Sequence, residues 1–408
     1  IRRYETVPIK VTKLLAPKES IVLAFTAKPV TPWGGLTLFS AFAKQIGLPE
    51  ILASSIPFKV TSPNATAPVE VITAFLAGVL VGSRRFSHIE RLRQDTVVRE
   101  ILGLKRFVAD STFSRFFGRF HWKQVEQMFT PLKRWALLKT VESIAAPKEG
   151  YILDLDSSAV ERYGKQEGAK KGYNPKKPGR PSHHPIFAVL AQTHTIVHAW
   201  LRSGNTAGVS GAEEFLSETR SLLPESIVPA ALRADSGFAF EPFLAFVEGK
   251  GLPYAISARF TQGLQAKVSR IADWKKIDMG IEAGEATFQA QGWTKERRII
   301  VIREHKLELE EARGKQLFDD PTYKYQAIVT DKTELPEEIW RFYRSHADIE
   351  NRIKELKWDY GMDGFCLKKF WATTAAFQLV CLLHNLLILF ERKIGSPIHR
   401  TLSTWRVQ

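Results

Sequence analysis

The spacing of apolar and polar positions in this chain changes near residue 151. From Leu36 to Leu138 the apolar residues recur mostly at helical spacing. Val69–Val81 reads as an apolar helix, and Ser87–Arg99 as a helix carrying Arg91 and Arg93. Ser111 can cap a segment Thr112–Trp122, within DSTFSRFFGRF, rich in arginine and phenylalanine. Residues 1–30 lack this period and read as irregular or strand-like. At Tyr151 the run YILDLDSS alternates apolar and acidic positions, which predicts a strand. Pro185–Gln192 and Ile196–Ser203 follow as two strands joined by a short turn. Then come a helix over Ala212–Leu223, a strand over Pro229–Asp235, a helix over Phe240–Lys250 and a strand over Pro253–Ser257. Residues 258–335 hold strand-like runs such as RRIIVIRE and YQAIVT. One helix is predicted from about Pro336 through Lys357, opened by a proline and two acids. A last apolar helix covers about Ala372–Glu391.

Composition narrows the class. The 408 residues predict two to four domains. Net charge is +15, and residues 1–150 alone hold 22 Lys and Arg against 11 Asp and Glu. Such a chain expects a polyanionic partner. Cys366 and Cys381 have no metal-ligand spacing and suggest a reducing compartment. No secretory signal is read. The apolar run Ala375–Phe390 is short for a membrane span and is interrupted by His384 and Asn385, so a buried helix and no membrane partner are expected.

Three acids carry the candidate chemistry. Asp154 and Asp156 lie two apart on one strand and so share a face. That pairing is costly on an apolar strand unless cations or metals compensate. Asp235 ends another strand, in LRADSGF. Glu350 belongs to YRSHADIENRIKELK, where Tyr343, Glu350 and Lys357 are spaced by seven and would form one stripe, flanked by Arg344, Arg352 and Lys354. Taken singly, each acid is more often a cap, an ion pair or a turn former. Together, three carboxylates could hold two Mg²⁺ ions ~4 Å apart for in-line phosphoryl displacement.

On these residues the chain resembles bacterial insertion-sequence transposases of the DDE superfamily, in the cut-and-paste branch with a Tyr-Arg-Glu-Lys signature. Asp156 followed by Ser157-Ser158 resembles the first acid, Asp235 in ADSGF the second, and Glu350 between Tyr343 and Lys357 the third. Asp154 is the rival for the first acid. The signature arginine would fall at His346, with Arg344 adjacent. The resemblance runs over most of the chain. It implies an α/β multidomain protein with an RNase H-like mixed sheet flanked by helices and interrupted by a β-rich insertion. The expected layout is a mostly helical DNA-binding region (1–150), a catalytic core (151–257 and 336–371) around the insertion (258–335), and a helical C-terminus (372–408). It further implies a two-metal Mg²⁺ site, with Mn²⁺ substituting, on Asp156, Asp235 and Glu350. Tyr343, Arg344, His346 and Lys357 would contact DNA. Trp293 or Trp274 would stack on a base flipped from a hairpin-forming strand. The implied partners are double-stranded DNA, as terminal inverted repeats and target, and a second copy of the chain on DNA. The implied location is the cytoplasm, at the nucleoid.

Two basic features add to this. Lys165–Arg180 holds six cations against one acid; Lys170, Lys171, Lys176, Lys177 and Arg180 would supply phosphate contacts and Tyr173 a stacking face. The bland alternative is a solvated loop. His183 and His184 lie nearby without a zinc pattern. Arg91, Arg93, Arg115 and Arg119 fit a helix-turn-helix reader, whose affinity would fall steeply with salt, and an all-helical packing domain equally. Two rival functions stay open: an RNase H-like nuclease that cuts without joining, and a catalytically silent DNA-binding protein.

Overall fold

The computed structural model describes residues 28–62, 64–172, 174, 177–206, 210–306, 322–396 and 398–407. Most of the stretch 1–30 therefore lies outside the described residues, as do Tyr173 and Lys176. The centre is a nine-stranded mixed sheet: β1 (Tyr151–Ser157), β2 (Ile186–Leu190), β3 (Thr195–Trp200), β4 (Pro229–Ala234), β5 (Tyr254–Ala258), β6 (Lys275–Asp278), β7 (Ile281–Phe288), β8 (Arg297–His305) and β9 (Tyr323–Thr330). The lateral order is β3-β2-β1-β4-β5-β9-β8-β7-β6. Short turns let β1, β2 and β3 pair antiparallel. β4 and β5 lie parallel to β1, because Ala212–Leu222 and Glu241–Gly249 supply the crossover helices that parallel pairing needs.

The β-rich stretch after residue 258 is not set apart from this sheet. β9 pairs with β5 through Ala327↔Ala258, and β8, β7 and β6 extend the same sheet outward. Lys170–Lys171, Val160–Glu161 and Pro181–His183 form a separate small sheet that carries the basic segment.

The change of period at residue 151 is not a break in packing. Helices Pro68–Leu80, Asp110–Phe117 and Trp122–Glu142 share one core with helix Phe370–Lys393 and with Phe187, Val189, Ile196 and Ala199 of the sheet. Phe75 and Phe86 meet Phe365 at 4.9 and 5.3 Å between ring centroids. Each such pair adds about 0.5–1.5 kcal/mol beyond area burial. The phenylalanines of DSTFSRFFGRF point into this core, and Arg115 and Arg119 stay outside it. The helix there is Asp110–Phe117, and Trp122 opens the next one behind a His121–Gln124 capping box. Ser87–Arg99 divides into Phe86–Ile89, a 3₁₀ turn Glu90–Gln94 and Thr96–Ile101, because Asp95 accepts the Val98 N–H at 2.9 Å and starts a new helix.

Helix Phe370–Lys393 is the one described helix long and apolar enough to cross a membrane by length and composition, and its apolar window is buried inside the fold. Its polar interruptions have work there. Asn385 accepts the Ile196 N–H (2.9 Å) and donates to the Ile196 carbonyl (2.8 Å), satisfying backbone groups of the edge strand β3.

The C-terminal segment is tied down by charge. His399 bridges Glu391 (2.9 Å) and Glu355 (3.1 Å), beside Arg352 and His384. Burial alone would lower its pKa, but the two carboxylates reverse that and raise it to about 9. A raised folded-state pKa gives stability that is fully present below about 6.5 and lost as pH rises through about 9. His399→Ala is therefore expected to cost about 2 kcal/mol below pH 6.5 and clearly less above pH 9. Denaturant melts of both proteins across that window check this; a cost independent of pH would assign the effect to packing.

Candidate active site

Strand register sets the first two acids. β1 and β4 pair in parallel with Leu155 opposite Ala234, so the next residues, Asp156 and Asp235, stand side by side where the strands end. Crevices at the carboxyl ends of parallel strands are where α/β sheets place ligands. Asp156 Oδ1 accepts the Ser157 N–H at 2.6 Å, and Asp235 Oδ1 accepts the Gly237 N–H at 3.0 Å. Burial, and then the charge of Asp235, push Asp156 up to about 7. Burial likewise raises Asp235. Glu350 adds its own negative charge to both.

The predicted single helix is two helices. Pro336–Arg344 ends at Ser345, and Ala347–Trp358 begins after His346. Tyr343, Glu350 and Lys357 therefore do not form one continuous stripe; the break corrects that expectation. Its cause lies beneath the sheet face. His346 turns inward and its Nδ1 meets Asp154 Oδ1 at 3.2 Å. Asp154 is fully buried and receives Arg233 in a two-pronged bond, at 2.6 and 2.8 Å. Arg233 also donates to the Phe342 carbonyl at 2.7 Å, near the end of the first helix. The parallel register places Arg233 beside Asp154 directly. The cation that sequence reasoning demanded for this acid is thus Arg233, four residues past Pro229 on the neighbouring strand.

The break still aims several groups at the acids. Glu350 lies in the first turn of the second helix, mostly exposed, with Lys354 at 3.7 Å. Tyr343 is buried, its phenol bonded to Ser257 and held well above its usual pKa by burial and then by the charges of Asp235, Asp156 and Glu350. Lys357 donates to Ser158 Oγ (2.6 Å) and the Ala159 carbonyl (2.8 Å), just past the end of β1. Among the described residues the acids do not form a ready-made metal-ligand cluster. Ser257 and Arg259, at and just beyond the end of β5, were missed; Arg259 sends its positive charge toward Asp235. A cation directly after a strand parallel to the acid-bearing ones was the available signal.

Other expected contacts lie apart. Arg344 is exposed and sits over the Trp340 ring at 5.3 Å. Trp293 is buried under Arg297 (5.1 Å) and Trp274 lies under Arg303 (4.2 Å), so a stacked base would have to displace those guanidiniums. Lys170 and Lys171 are exposed; Lys177 pairs with Glu161 at 3.0 Å, and Arg180 covers the Tyr163 ring. Arg93 pairs with Glu90 at 2.7 Å, and Arg91 bonds the His88 carbonyl.

Residues 15–407 match a family model described as transposase DDE domain, group 1. No curated protein sequence matches the chain. Among solved structures, a piggyBac transposase synaptic complex with hairpin DNA is similar at 12% identity and a TM-score of 0.47, covering 92% of this chain and 78% of that chain.

Proposed function

The chain belongs to the transposase DDE domain family, group 1, and from that premise we propose that it cuts and joins the ends of a mobile DNA element at Asp156, Asp235 and Glu350. The observation that carries the proposal is the register that sets Asp156 and Asp235 together at the sheet's open end while Glu350 faces them from a helix start. Two buried carboxylates, both raised by burial and by the Glu350 charge and Asp156 also by Asp235, are a donor set that divalent cations would relieve, so the residues fit the metal that the family's chemistry calls for. Asp156, Asp235 and Glu350 would hold Mg²⁺, with Mn²⁺ substituting, which when bound supplies an activated oxygen nucleophile and stabilises the leaving oxygen.

The remaining residues position DNA. Arg259 offers a guanidinium for a phosphate beside Asp235. Tyr343 keeps its proton at working pH and can donate it in a hydrogen bond. Lys357 holds the turn after Asp156 and brings a positive charge to that end of β1. His346 serves the fold through Asp154 in place of a phosphate-binding arginine. Lys170, Lys171 and Arg180 extend a positive track along the small sheet. The antiparallel β3-β2-β1 run followed by parallel β4 and β5 supports the RNase H-like reading. A bacterial insertion-sequence origin, a cut-and-paste route, a homodimer on paired ends and a nucleoid location complete the proposal.

Its test is incubation of the protein and Mg²⁺ or Mn²⁺ with a labelled duplex bearing the element's terminal repeat. Nicked ends together with strand-joined products are expected. Nicks without joined products would establish the nuclease reading. Binding without any cutting, in either metal, would establish the silent DNA-binding reading.

A further inference from the structure

A cavity of about 670 Å³ opens beside the edge strand β3, lined by Trp122, Trp200, Trp371, Lys133, His198 and Glu218. Its size lies within the range of small-ligand sites. Trp122 and Trp371 are 49% and 37% exposed, unusually open for the largest aromatic side chain. The polar groups form one chain. Lys133 Nζ donates to His198 Nδ1 at 2.9 Å, and His198 Nε2 donates to Glu218 Oε2 at 3.0 Å. Trp200 Nε1 donates to the same carboxylate oxygen at 3.0 Å. Burial, and then the Lys133 charge, lower His198 to about 3, so the ring is neutral and its Nδ1 is free to accept. The ring also stacks flat on Phe215, at 4.9 Å and 12°. Indole, imidazole and ammonium are thus held in place before a ligand arrives. One of the three ammonium N–H bonds goes to His198; the group lines the cavity with donors to spare.

Indole faces with a donor beside them suit a planar ring that has acceptors on its edge. Location selects among such rings. Trp200 pairs with Ile186, which pairs with Ser157, so the cavity sits two strands, about 10 Å, from the residue after Asp156. Trp371 adjoins Phe370, whose N–H is held by Glu167 of the basic segment at 2.9 Å. The cavity and the basic segment thus both adjoin the end of β1 that carries Asp156. Trp293 is buried under Arg297 and Trp274 lies under Arg303, whereas Trp371 and Trp122 stay exposed, with the exposed Lys123 ammonium 5.4 Å over the Trp122 ring as the cation a base would displace there.

We propose that this cavity receives an unpaired nucleobase of a DNA strand lying along the catalytic edge, its ring against the indoles and an acceptor on Lys133. The inference rests on the DNA-processing reading above, and its test needs no catalysis. Affinity is measured without divalent metal for a short single-stranded thymidine oligonucleotide and for the same backbone made abasic. Wild type is expected to bind the base-bearing strand about tenfold more tightly. The Trp122→Ala/Trp371→Ala double variant and, separately, Lys133→Met should lose most of that ratio while keeping wild-type affinity for the abasic strand, which reports an intact fold. Equal affinity for both strands in wild type, or an unchanged ratio in both variants, overturns the proposal. An unchanged ratio with an altered sedimentation coefficient would instead assign the indoles to an interface between copies. Because cleavage is not read, a chain that cuts but shows no base discrimination loses only this inference. A chain that discriminates but never cuts loses only the function proposed above.

Discussion

The Asp154→Ala variant is expected to lose about 3–5 kcal/mol of stability. The carboxylate is fully buried, and Arg233, itself 3% exposed, has both bonds to it as its main compensation. Removing the acid leaves a guanidinium without its counter-charge in a site that solvent does not reach. It also frees His346 and with it the break between the helices that carry Tyr343 and Glu350. The double variant Asp154→Leu/Arg233→Met should recover most of the loss, because deleting both charges removes the desolvation cost that the pair otherwise offsets. His346→Arg, which restores the signature residue, is expected to destabilise as well, since it sets a second guanidinium against Arg233 over one carboxylate. Chemical denaturation of the four proteins tests the set. If Asp154→Ala is as stable as wild type and binds DNA normally but cannot cut, Asp154 is the first metal ligand and its pairing with Arg233 is incidental.

That contrast shows what the chain's pattern carried. Period two in YILDLDSS predicted the strand and the shared face of Asp154 and Asp156. It could not separate their roles, because the separating fact is which residue of β4 lies beside each. Register across a parallel pair comes from matching the buried faces of both strands through their crossover connection, so one strand's pattern alone does not give it. The same limit explains the motif helix. Spacing by seven is a local rule, and it fails at His346 because a buried acid nearly two hundred residues upstream draws that ring inward. The shared core of the N-terminal helices and helix Phe370–Lys393 was equally out of reach, since apolar helix faces announce burial without naming what buries them. Trp293 and Trp274 were expected as stacking faces; Arg297 covers Trp293 from four residues on, where the turn opens into β8, and Arg303 reaches Trp274 from farther along β8, contacts that apolar periodicity does not encode.

The opposite behaviour is expected two residues on. Asp156→Asn should fold at least as stably as wild type without metal, because it removes a carboxylate disfavoured by burial and by Asp235. Divalent metal should then distinguish the two. Mg²⁺ or Mn²⁺ at about a hundred times its dissociation constant stabilises a folded site by about 2.7 kcal/mol, so wild-type melting should move up with metal and Asp156→Asn should not. Glu350→Gln should leave metal-free stability within about 0.5 kcal/mol, since its side chain is 61% exposed, and should still weaken the metal response. Both changes are expected to reduce cleavage by at least about a thousandfold, roughly 4 kcal/mol of barrier, with duplex binding retained. The other acids of that helix are already engaged, Asp348 with His194 at 2.6 Å and Glu355 with His399 at 3.1 Å, and neither is placed to substitute. Cleavage that survives Glu350→Gln would therefore remove the helix from the catalytic set, and a metal-dependent melting shift that survives Asp156→Asn would move the ion to another site. Reading stability and cutting together matters here: a fold-supporting acid fails first in the melt, whereas a metal-holding acid passes the melt and fails only when metal or DNA is added.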